Sequence, residues 1–259
     1  MEERPPTSAP PRSGPVISQE RYLAYHEYAR ERGVNPILYT VMRALLLVFC
    51  LVWFRLKRIG RDHARVEGGL IVASNHRSFV DPFAIGLLLP WRRRIQFMAK
   101  VELFERRWLG WLVSRLGAFP VRRGQADETA METARIVLRR GGTLVMFPEG
   151  TRIRRGSLAG PKRGVGRLAL ETGAPVLPVA VHGSEHVRRG WWIRPRRVRL
   201  RAGRHMTFPQ TARPSPALAA IVTERIWPNI ELQWGWLGGE PSPRQADVVR
   251  RVERARRAA

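Results

Sequence analysis

The sequence predicts an α/β fold in which a single mainly parallel or mixed sheet is flanked by helices, with a hydrophobic helix near the N-terminus. From residue 69 onward, short apolar runs alternate with longer segments whose apolar residues recur at helical spacing. This alternation is typical of strands joined by crossover helices. A length of 259 residues with 44% hydrophobic residues suits one sizeable domain with short extensions rather than a disordered chain.

The apolar runs are predicted strands, and the segments between them are predicted helices. The strands are residues 69–74, 94–100, 118–121, 143–147, 174–181 and 197–203, and the helices are residues 82–89, 108–117, 127–142 and 162–173. The third helix shows its boundaries most clearly, because Asp127 can cap its first turn and paired glycines end it.

The first 57 residues precede this pattern and have their own organisation. Residues 1–17 are rich in proline and polar residues, which predicts a disordered arm. Residues 18–57 are predicted to form an amphipathic helix capped by Ser18 and then a membrane-associated hydrophobic helix over residues 36–54. That run contains one charge, Arg43, and is short for a bilayer core of roughly 30 Å. We interpret it as lying in one leaflet, with a full span and a buried core helix as open alternatives.

Both flanks of the α/β region carry features that suit a membrane surface. Four basic residues within residues 55–61 follow the hydrophobic run, and if it spans the membrane they place the rest of the chain on the cytoplasmic side. Residues 213–259 are predicted to be a tryptophan-containing and basic extension. Its Trp227, Trp234 and Trp236 fit either a membrane interface or packing onto the domain.

Charge is the outlying property of the composition. The 46 basic and 21 acidic residues give a formal net charge of +25, which favours an anionic partner such as nucleic acid, an anionic membrane or a phosphorylated small molecule. Nearly all the basic residues are arginine, a composition that a coding bias toward arginine would also produce. The single cysteine, Cys50, excludes an internal disulfide and a cysteine metal cluster. His182 and His186 follow a strand-like run rather than sharing a helix, so no metal site is predicted.

Three polar clusters directly follow predicted strands. Residues 75–81 follow the first strand, Arg122 and Arg123 follow the third, and residues 148–152 follow the fourth. In open α/β sheets, ligands bind beyond the carboxyl ends of the strands. If these strands are parallel, the clusters meet there and form a site with a base, an acid and anion binders.

His76 is the candidate base of this site, because an unperturbed imidazole titrates near neutral pH. Asp81, five residues on, would hold one ring nitrogen and raise the basicity of the other, so that His76 could deprotonate a substrate hydroxyl directly. Asp81 followed by Pro82 is also a plain N-cap pattern for the next helix. The residues alone leave both interpretations of Asp81 open.

Four blocks, in order, resemble the motifs of the glycerolipid acyltransferase family, which includes the 1-acylglycerol-3-phosphate acyltransferases. Residues 76–81, HRSFVD, resemble its H-x4-D motif. Residues 117–123, GAFPVRR, and 147–152, FPEGTR, are similar to the second and third motifs. Residues 176–179, VLPV, resemble the fourth, a proline within a hydrophobic strand. The resemblance covers about residues 58–210.

The resemblance implies an acyltransferase domain over residues 58–212 and a role for each matched residue. His76 would take the proton from the acceptor hydroxyl as its oxygen attacks an acyl thioester, and Asp81 would stabilise the imidazolium. The implied substrate-binding residues are Arg123, Glu149, Gly150, Thr151, Arg152 and Lys162. The cations among them would hold the acceptor phosphate. Glu149 would orient Arg123 or bind an acceptor hydroxyl, with an internal ion pair as the alternative, and Gly150 would permit a turn.

The resemblance also implies the reaction and its partners. The donor would be acyl-CoA or acyl carrier protein, as a co-substrate and without a cofactor. The expected acceptor is 1-acylglycerol-3-phosphate, with another lysophospholipid or a glycolipid as the alternative, and membrane lipids are the expected partners.

Residues 188–204, with eight arginines and no acid, would contact lipid headgroups or the acyl carrier, or form a solvated face. A nucleic-acid-binding protein is the alternative from a different class, but it leaves the four motifs unexplained, so no nucleic acid is expected. A protein that binds lipid without turnover is the other alternative.

Overall fold

In the computed structural model, which describes residues 16–241 and Asp247, nine strands form a seven-stranded sheet and a separate hairpin. In chain order the strands are β1 Lys57–Ile59, β2 Leu70–Ser74, β3 Ile95–Lys100, β4 Ala118–Val121, β5 Thr143–Met146, β6 Val176–His182, β7 Arg188–Arg189, β8 Trp192–Ile193 and β9 Arg199–Ala202. Within the same residues the α-helices are α1 Gln19–Glu31, α2 Pro36–Trp53, α3 Asp81–Leu88, α4 Arg107–Arg115, α5 Glu128–Arg139, α6 Gly164–Thr172 and α7 Pro216–Trp236.

Strand order determines which residues meet at the edges of the sheet. The strands lie in the order β1-β9-β6-β2-β5-β3-β4, and each neighbouring pair is parallel except β6 with β9. The carboxyl ends of β2 to β6 therefore lie along one edge, while β9 and β1 run the other way. The predicted mainly parallel or mixed α/β sheet is confirmed.

Alternating side chains of the central strands bury both faces of the sheet. On β2, Leu70 and Val72 face a core that includes α3 and part of α2, while Ile71 and Ala73 face a core that includes α5, α6 and α7. All four side chains are fully buried. Burial on both faces explains why these strands are continuous apolar runs in the sequence.

The C-terminal helix α7 packs into the same core. Trp227 and Trp234 are buried among residues of α6 and β6, so the structure shows the packing alternative for these two tryptophans. Trp236 is 65% exposed and carries the guanidinium of Arg201 over its ring at 4.0 Å. The helical part of the predicted extension over residues 213–259 thus belongs to the folded unit.

The predicted N-terminal helices are present, and the first packs against the domain. Ser18 caps α1 by accepting a hydrogen bond from the N–H of Arg21 at 3.3 Å. Tyr22 and His26 of α1 are buried, and His26 Nδ1 lies 2.8 Å from Thr133 Oγ1 of α5. Ile17, the last residue of the predicted disordered arm, is also buried in the core.

Two parts of the predicted termini lie outside the described residues. They are residues 1–15 of the predicted arm, and the end of the basic extension at residues 242–246 and 248–259.

Helix α2 presents apolar side chains to the outside of the protein. Ile37, Val48 and Val52 are 76%, 64% and 73% exposed. By length and composition, α2 is the one helix of the described part of the chain that could cross a membrane. The large exposed fraction argues against the core-helix alternative and is compatible with both the leaflet and the spanning arrangement.

Arg43, the charge inside α2, lies on the inner face of the helix. Its guanidinium donates to four main-chain carbonyl oxygens after α3, at distances from 2.7 to 3.3 Å, within residues 89–93. It also lies over the ring of Trp91 at 4.8 Å. Because the charge is bound internally, it does not interrupt the apolar outer face of α2.

Candidate active site

The polar clusters that follow β2 and β5 meet at the carboxyl edge of the sheet, because these two strands are direct neighbours. The main-chain N–H of His76, just beyond β2, donates to Glu149 Oε2, just beyond β5, at 2.6 Å. The N–H of Ile153 donates back to the His76 carbonyl at 2.9 Å. The two loops are therefore joined on both sides of the candidate base.

His76 and Asp81 form the contact that their spacing predicts. His76 Nδ1 lies 2.9 Å from Asp81 Oδ2, and both side chains are buried. Asp81 Oδ2 also accepts from the main-chain N–H groups of Arg77 and Ser78, at 2.6 and 2.7 Å. With this oxygen as the acceptor, Nδ1 carries the hydrogen, and Nε2 is left as the basic nitrogen.

The interpretation of Asp81 as a plain N-cap is wrong. Asp81 is the first residue of α3, and Val80 occupies the N-cap position without a side-chain hydrogen bond. The carboxylate of Asp81 turns back to the loop before the helix, where its three donors lie. It organises the His76 loop rather than the first turn of α3.

Glu149 holds the main chain of the site. Its carboxylate accepts from the N–H of His76 through Oε2 and from the N–H of Ala159 through Oε1, at 2.6 and 3.1 Å. Burial raises the pKa of Glu149 to about 7, against the opposing effect of the two N–H donors and of the charge of Arg77. The predicted contact of Glu149 with Arg123 is replaced by these main-chain hydrogen bonds.

The surroundings of His76 favour its neutral form. Burial lowers the pKa of His76; the hydrogen bond and charge of Asp81 raise it, and the positive charges of Arg152 and Arg123 lower it further. The ring stacks on Phe147, with the ring centroids 4.0 Å apart and the planes 19° from parallel. Since the pKa falls below its ordinary value of 6.5, the imidazole is available as a base at neutral pH.

The third motif forms a turn that carries its polar residues out of the sheet. Gly150 has a φ of +71°, which glycine adopts without strain, and its N–H closes the turn onto the Phe147 carbonyl at 2.9 Å. Thr151 and Arg152 follow it and are exposed. The side chain of Lys162 lies over Gly150, so that a β-carbon at position 150 would be 2.9 Å from Lys162 Nζ.

Arg123 lies in a cleft of about 590 Å³ between the N-terminal segment and the end of β3. Its neighbour Arg122 is held internally: it donates to Gln19 Oε1 at 2.6 Å and lies over the Tyr22 ring at 4.1 Å. Partial desolvation and then the charge of Arg152 lower the pKa of the Arg123 guanidinium. Arg123 is therefore the arginine of this pair that is available to an anionic ligand.

Three residues support the site in ways that the sequence reasoning did not predict. The Asn75 side chain exchanges two hydrogen bonds with the main chain of Val181 in β6, at 2.9 and 2.8 Å. Buried Arg77 donates to the carbonyl oxygens of Ile153 and Gly156, and Phe147 stacks on His76. The only signal in the sequence was that Asn75 precedes the first motif and that Arg77 and Phe147 lie within the first and third motifs. No three histidine, cysteine or acidic side chains of the described residues are grouped as a metal ion would need.

The sheet, the His76–Asp81 pair and the flanking cations together describe an acyltransferase-type site, and comparison with known proteins agrees. Residues 55–182 match the family model described as Acyltransferase. Residues 55–182 therefore form a domain that is similar to the glycerolipid acyltransferases.

Relatives within this family carry one recurring description. The chain is 31% identical over 128 residues to "1-acyl-sn-glycerol-3-phosphate acyltransferase" of Bacillus subtilis, covering 49% of this chain and 62% of that protein. It is 31% identical over 157 residues to "1-acyl-sn-glycerol-3-phosphate acyltransferase alpha" of Homo sapiens, covering 58% of this chain and 54% of that protein. The matches thus span little more than half of each relative.

A solved structure shares the fold. The crystal structure of the 1-acyl-sn-glycerophosphate acyltransferase PlsC from Thermotoga maritima superposes with a TM-score of 0.54 and 23% sequence identity. The match covers 83% of this chain and 96% of that chain, so the shared architecture extends well beyond the four motifs.

Titration of His76 by NMR tests the electrostatics of this site. We expect its pKa to lie below 6.5 in the native protein and to rise in Arg152→Ala, because a nearby positive charge that disfavours the imidazolium has been removed. Arg152→Lys keeps the charge and should leave the titration nearly unchanged, and His76→Ala assigns the signal. An unchanged or lower pKa in Arg152→Ala would contradict the arrangement.

Proposed function

We propose that this protein is an O-acyltransferase that moves a fatty acyl group from a thioester donor to the free hydroxyl of 1-acylglycerol-3-phosphate, a step of phospholipid synthesis. The observation that carries the proposal is the buried His76–Asp81 hydrogen bond of 2.9 Å, which leaves Nε2 of the imidazole as the base. The match to the Acyltransferase family model and the names of the relatives support the same reaction.

In the proposed reaction, His76 Nε2 takes the proton of the acceptor hydroxyl while that oxygen attacks the thioester carbonyl carbon. The resulting tetrahedral intermediate breaks its carbon–sulfur bond. The thiolate leaves with the proton carried by His76, and the imidazole returns to its neutral form. Asp81 Oδ2 stabilises the transient imidazolium through its contact with Nδ1. The acyl group passes directly between substrates, so no covalent acyl-enzyme forms.

The acceptor phosphate is proposed to bind Arg123 and Arg152, which act on each other electrostatically, with Lys162 beside Gly150 as a further cation. A guanidinium can hold two phosphate oxygens at once, and Arg123 is not committed to an internal partner as Arg122 is. Arg123 and Arg152 both act on His76 electrostatically, which fits a phosphate held beside the reacting hydroxyl.

Membrane association is proposed through α2. Its exposed apolar residues, with Ile37 and Val52 more than 70% exposed, would enter the lipid. The basic residues that follow α2 favour the cytoplasmic side for the domain. A lipid acceptor could then reach His76 without leaving the membrane surface.

Acyl transfer by purified protein tests the reaction. With labelled acyl-CoA and 1-acylglycerol-3-phosphate, we expect His76→Ala to lower kcat by about 10²- to 10⁴-fold, since the general base is lost. Asp81→Asn should also lower kcat, and His205→Ala, at an exposed histidine, should not. Wild-type-like turnover by His76→Ala would rule out the proposed mechanism. Faster transfer to another lysophospholipid or a glycolipid would reassign the acceptor.

Arg123→Ala tests the phosphate site. We expect the KM for 1-acylglycerol-3-phosphate to rise by about tenfold or more through loss of a charge-assisted contact, while the KM for an uncharged monoacylglycerol changes little. Arg139→Ala removes an exposed arginine from α5 and serves as the control. Equal effects of Arg123→Ala on both acceptors would show that Arg123 does not bind phosphate.

Glu149→Gln separates a positioning role from acceptor binding. The amide has one acceptor oxygen, so it cannot accept from both His76 and Ala159, and an unpaired buried N–H costs about 1–3 kcal/mol. We therefore expect kcat to fall by about tenfold and the NMR titration of His76 to shift, with the KM for the acceptor nearly unchanged. If the KM rises and the His76 titration stays the same, Glu149 binds the acceptor instead.

A further inference from the structure

A second basic cleft, of about 890 Å³, adjoins the His76 loop through Arg77, Ser78 and Phe79. Its walls come from the start of the H-x4-D loop, from the segment after the third motif and from the β7–β8 hairpin. Six exposed or half-buried arginines line it: Arg152, Arg154, Arg155, Arg188, Arg194 and Arg196. None of these walls belongs to the cleft of Arg123.

Most of these arginines have no internal partner. Among the described residues, no hydrogen bond or ion pair occupies the guanidinium groups of Arg154, Arg155, Arg194 or Arg196. Like charges gathered in one cleft repel each other. A ligand with several negative charges would relieve this repulsion, whereas a ligand with one phosphate would leave most of the charges unpaired.

The cleft is fixed relative to the candidate base. Buried Arg77, the residue after His76, donates to the carbonyl oxygens of Ile153 and Gly156 at 2.8 and 2.6 Å. This holds the segment that carries Arg154 and Arg155 against the His76 loop. A ligand bound to those arginines would therefore keep a constant position relative to His76.

One carboxylate side chain also lines the cleft. Glu185 lines the wall, and its Oε2 is buried and has no hydrogen-bond partner among the described residues. Its other oxygen lies 3.7 Å from His186 Nε2. A carboxylate in a cationic cleft disfavours a purely anionic ligand but suits one that also carries hydroxyl or amino donors.

We propose that this cleft binds the 3′-phosphorylated ADP portion of coenzyme A, the head of the acyl donor. This inference rests on the proposed function and specifies its donor. The head carries three phosphate groups for the arginines, and ribose hydroxyl and adenine amino groups for Glu185. The cleft volume falls in the range of about 300–1,000 Å³ found for small-molecule sites. The pantetheine arm would then lead along the His76 loop and bring the thioester to the base.

The shape of the surface favours coenzyme A over the acidic face of an acyl carrier protein. The arginines line a recess, which a folded protein domain cannot enter. The adjoining Trp191 and Trp192 of the hairpin are 93% and 80% exposed. Their aromatic faces offer stacking surfaces for the adenine ring. The acceptor phosphate would thus be held by Arg123 and the donor phosphates by the arginines of this cleft, with Arg152 adjoining both, because it lines the cleft and also acts electrostatically on Arg123.

Calorimetric binding of free coenzyme A to the full-length protein in detergent tests the inference. We expect the double variant Arg194→Ala/Arg196→Ala to weaken binding of coenzyme A by about tenfold or more, because charge-assisted contacts to its phosphates are lost. The matched control, Arg92→Ala/Arg94→Ala, removes equal charge from a basic cleft of about 530 Å³ near the start of β5, at the opposite edge of the sheet, and should bind normally. The wild type should bind 3′-dephospho-coenzyme A more weakly than coenzyme A.

Kinetics of the same variants separate this inference from the proposed function. We expect the cleft variant to raise the KM for acyl-CoA and to leave the KM for 1-acylglycerol-3-phosphate unchanged. A wild type that binds coenzyme A in this cleft but transfers no acyl group would refute the function and retain the site. The site would be overturned if the cleft variant bound coenzyme A as tightly as the wild type, or if the control variant lost binding to the same extent. It would also be overturned if the cleft variant raised the KM only for acyl carrier protein or only for the acceptor, or if its sole defect were weaker binding to phosphatidylglycerol vesicles.

Discussion

The hydrogen bonds to a single carboxylate oxygen, Asp81 Oδ2, are the constraint on which the site depends. This oxygen accepts from His76 Nδ1 and from the main-chain N–H groups of Arg77 and Ser78. Each of these buried donors would cost about 1–3 kcal/mol if left unpaired. One oxygen therefore folds the loop and also selects the imidazole tautomer, so the shape of the loop and the basicity of His76 cannot vary independently.

The sheet holds this loop from the strands on both sides of β2. The Asn75 side chain pairs with Val181 of β6, which continues the ladder one residue past the end of β2. Glu149, beyond β5, takes the N–H of His76. The candidate base is thus fixed by hydrogen bonds between side chain and main chain that reach two parallel neighbouring strands, and its rigidity comes from the sheet rather than from the loop itself. In that arrangement the buried carboxylate at position 149 has a structural role, although burial raises its pKa to about 7.

The sequence predicted the features that local pattern encodes and missed those that depend on strand order. Short apolar runs identified β2, β5 and β6, and the five-residue spacing predicted the contact of His76 with Asp81. The partners of Glu149 could not be predicted, because they are main-chain atoms that become neighbours only when β2 and β5 pair. Helix α7 was missed because Pro228 lies inside it and apolar residues cover more than one face. The turning back of Asp81 was hidden by Pro82, which gives the same local signal as an ordinary cap.

The net charge of +25 divides into arginines that stabilise the fold and arginines that remain for ligands. Arg43 and Arg77 bind main-chain carbonyl oxygens, and Arg135 pairs with three glutamates, so none of these attracts a partner. Arg123 and Arg152, in contrast, stand beside His76 and lower its pKa. Under the proposed function, bound phosphate would offset those two charges and make the imidazole more basic. The base would then be strongest when the substrate is in place, because the charges that bind the substrate are the charges that weaken the base in its absence.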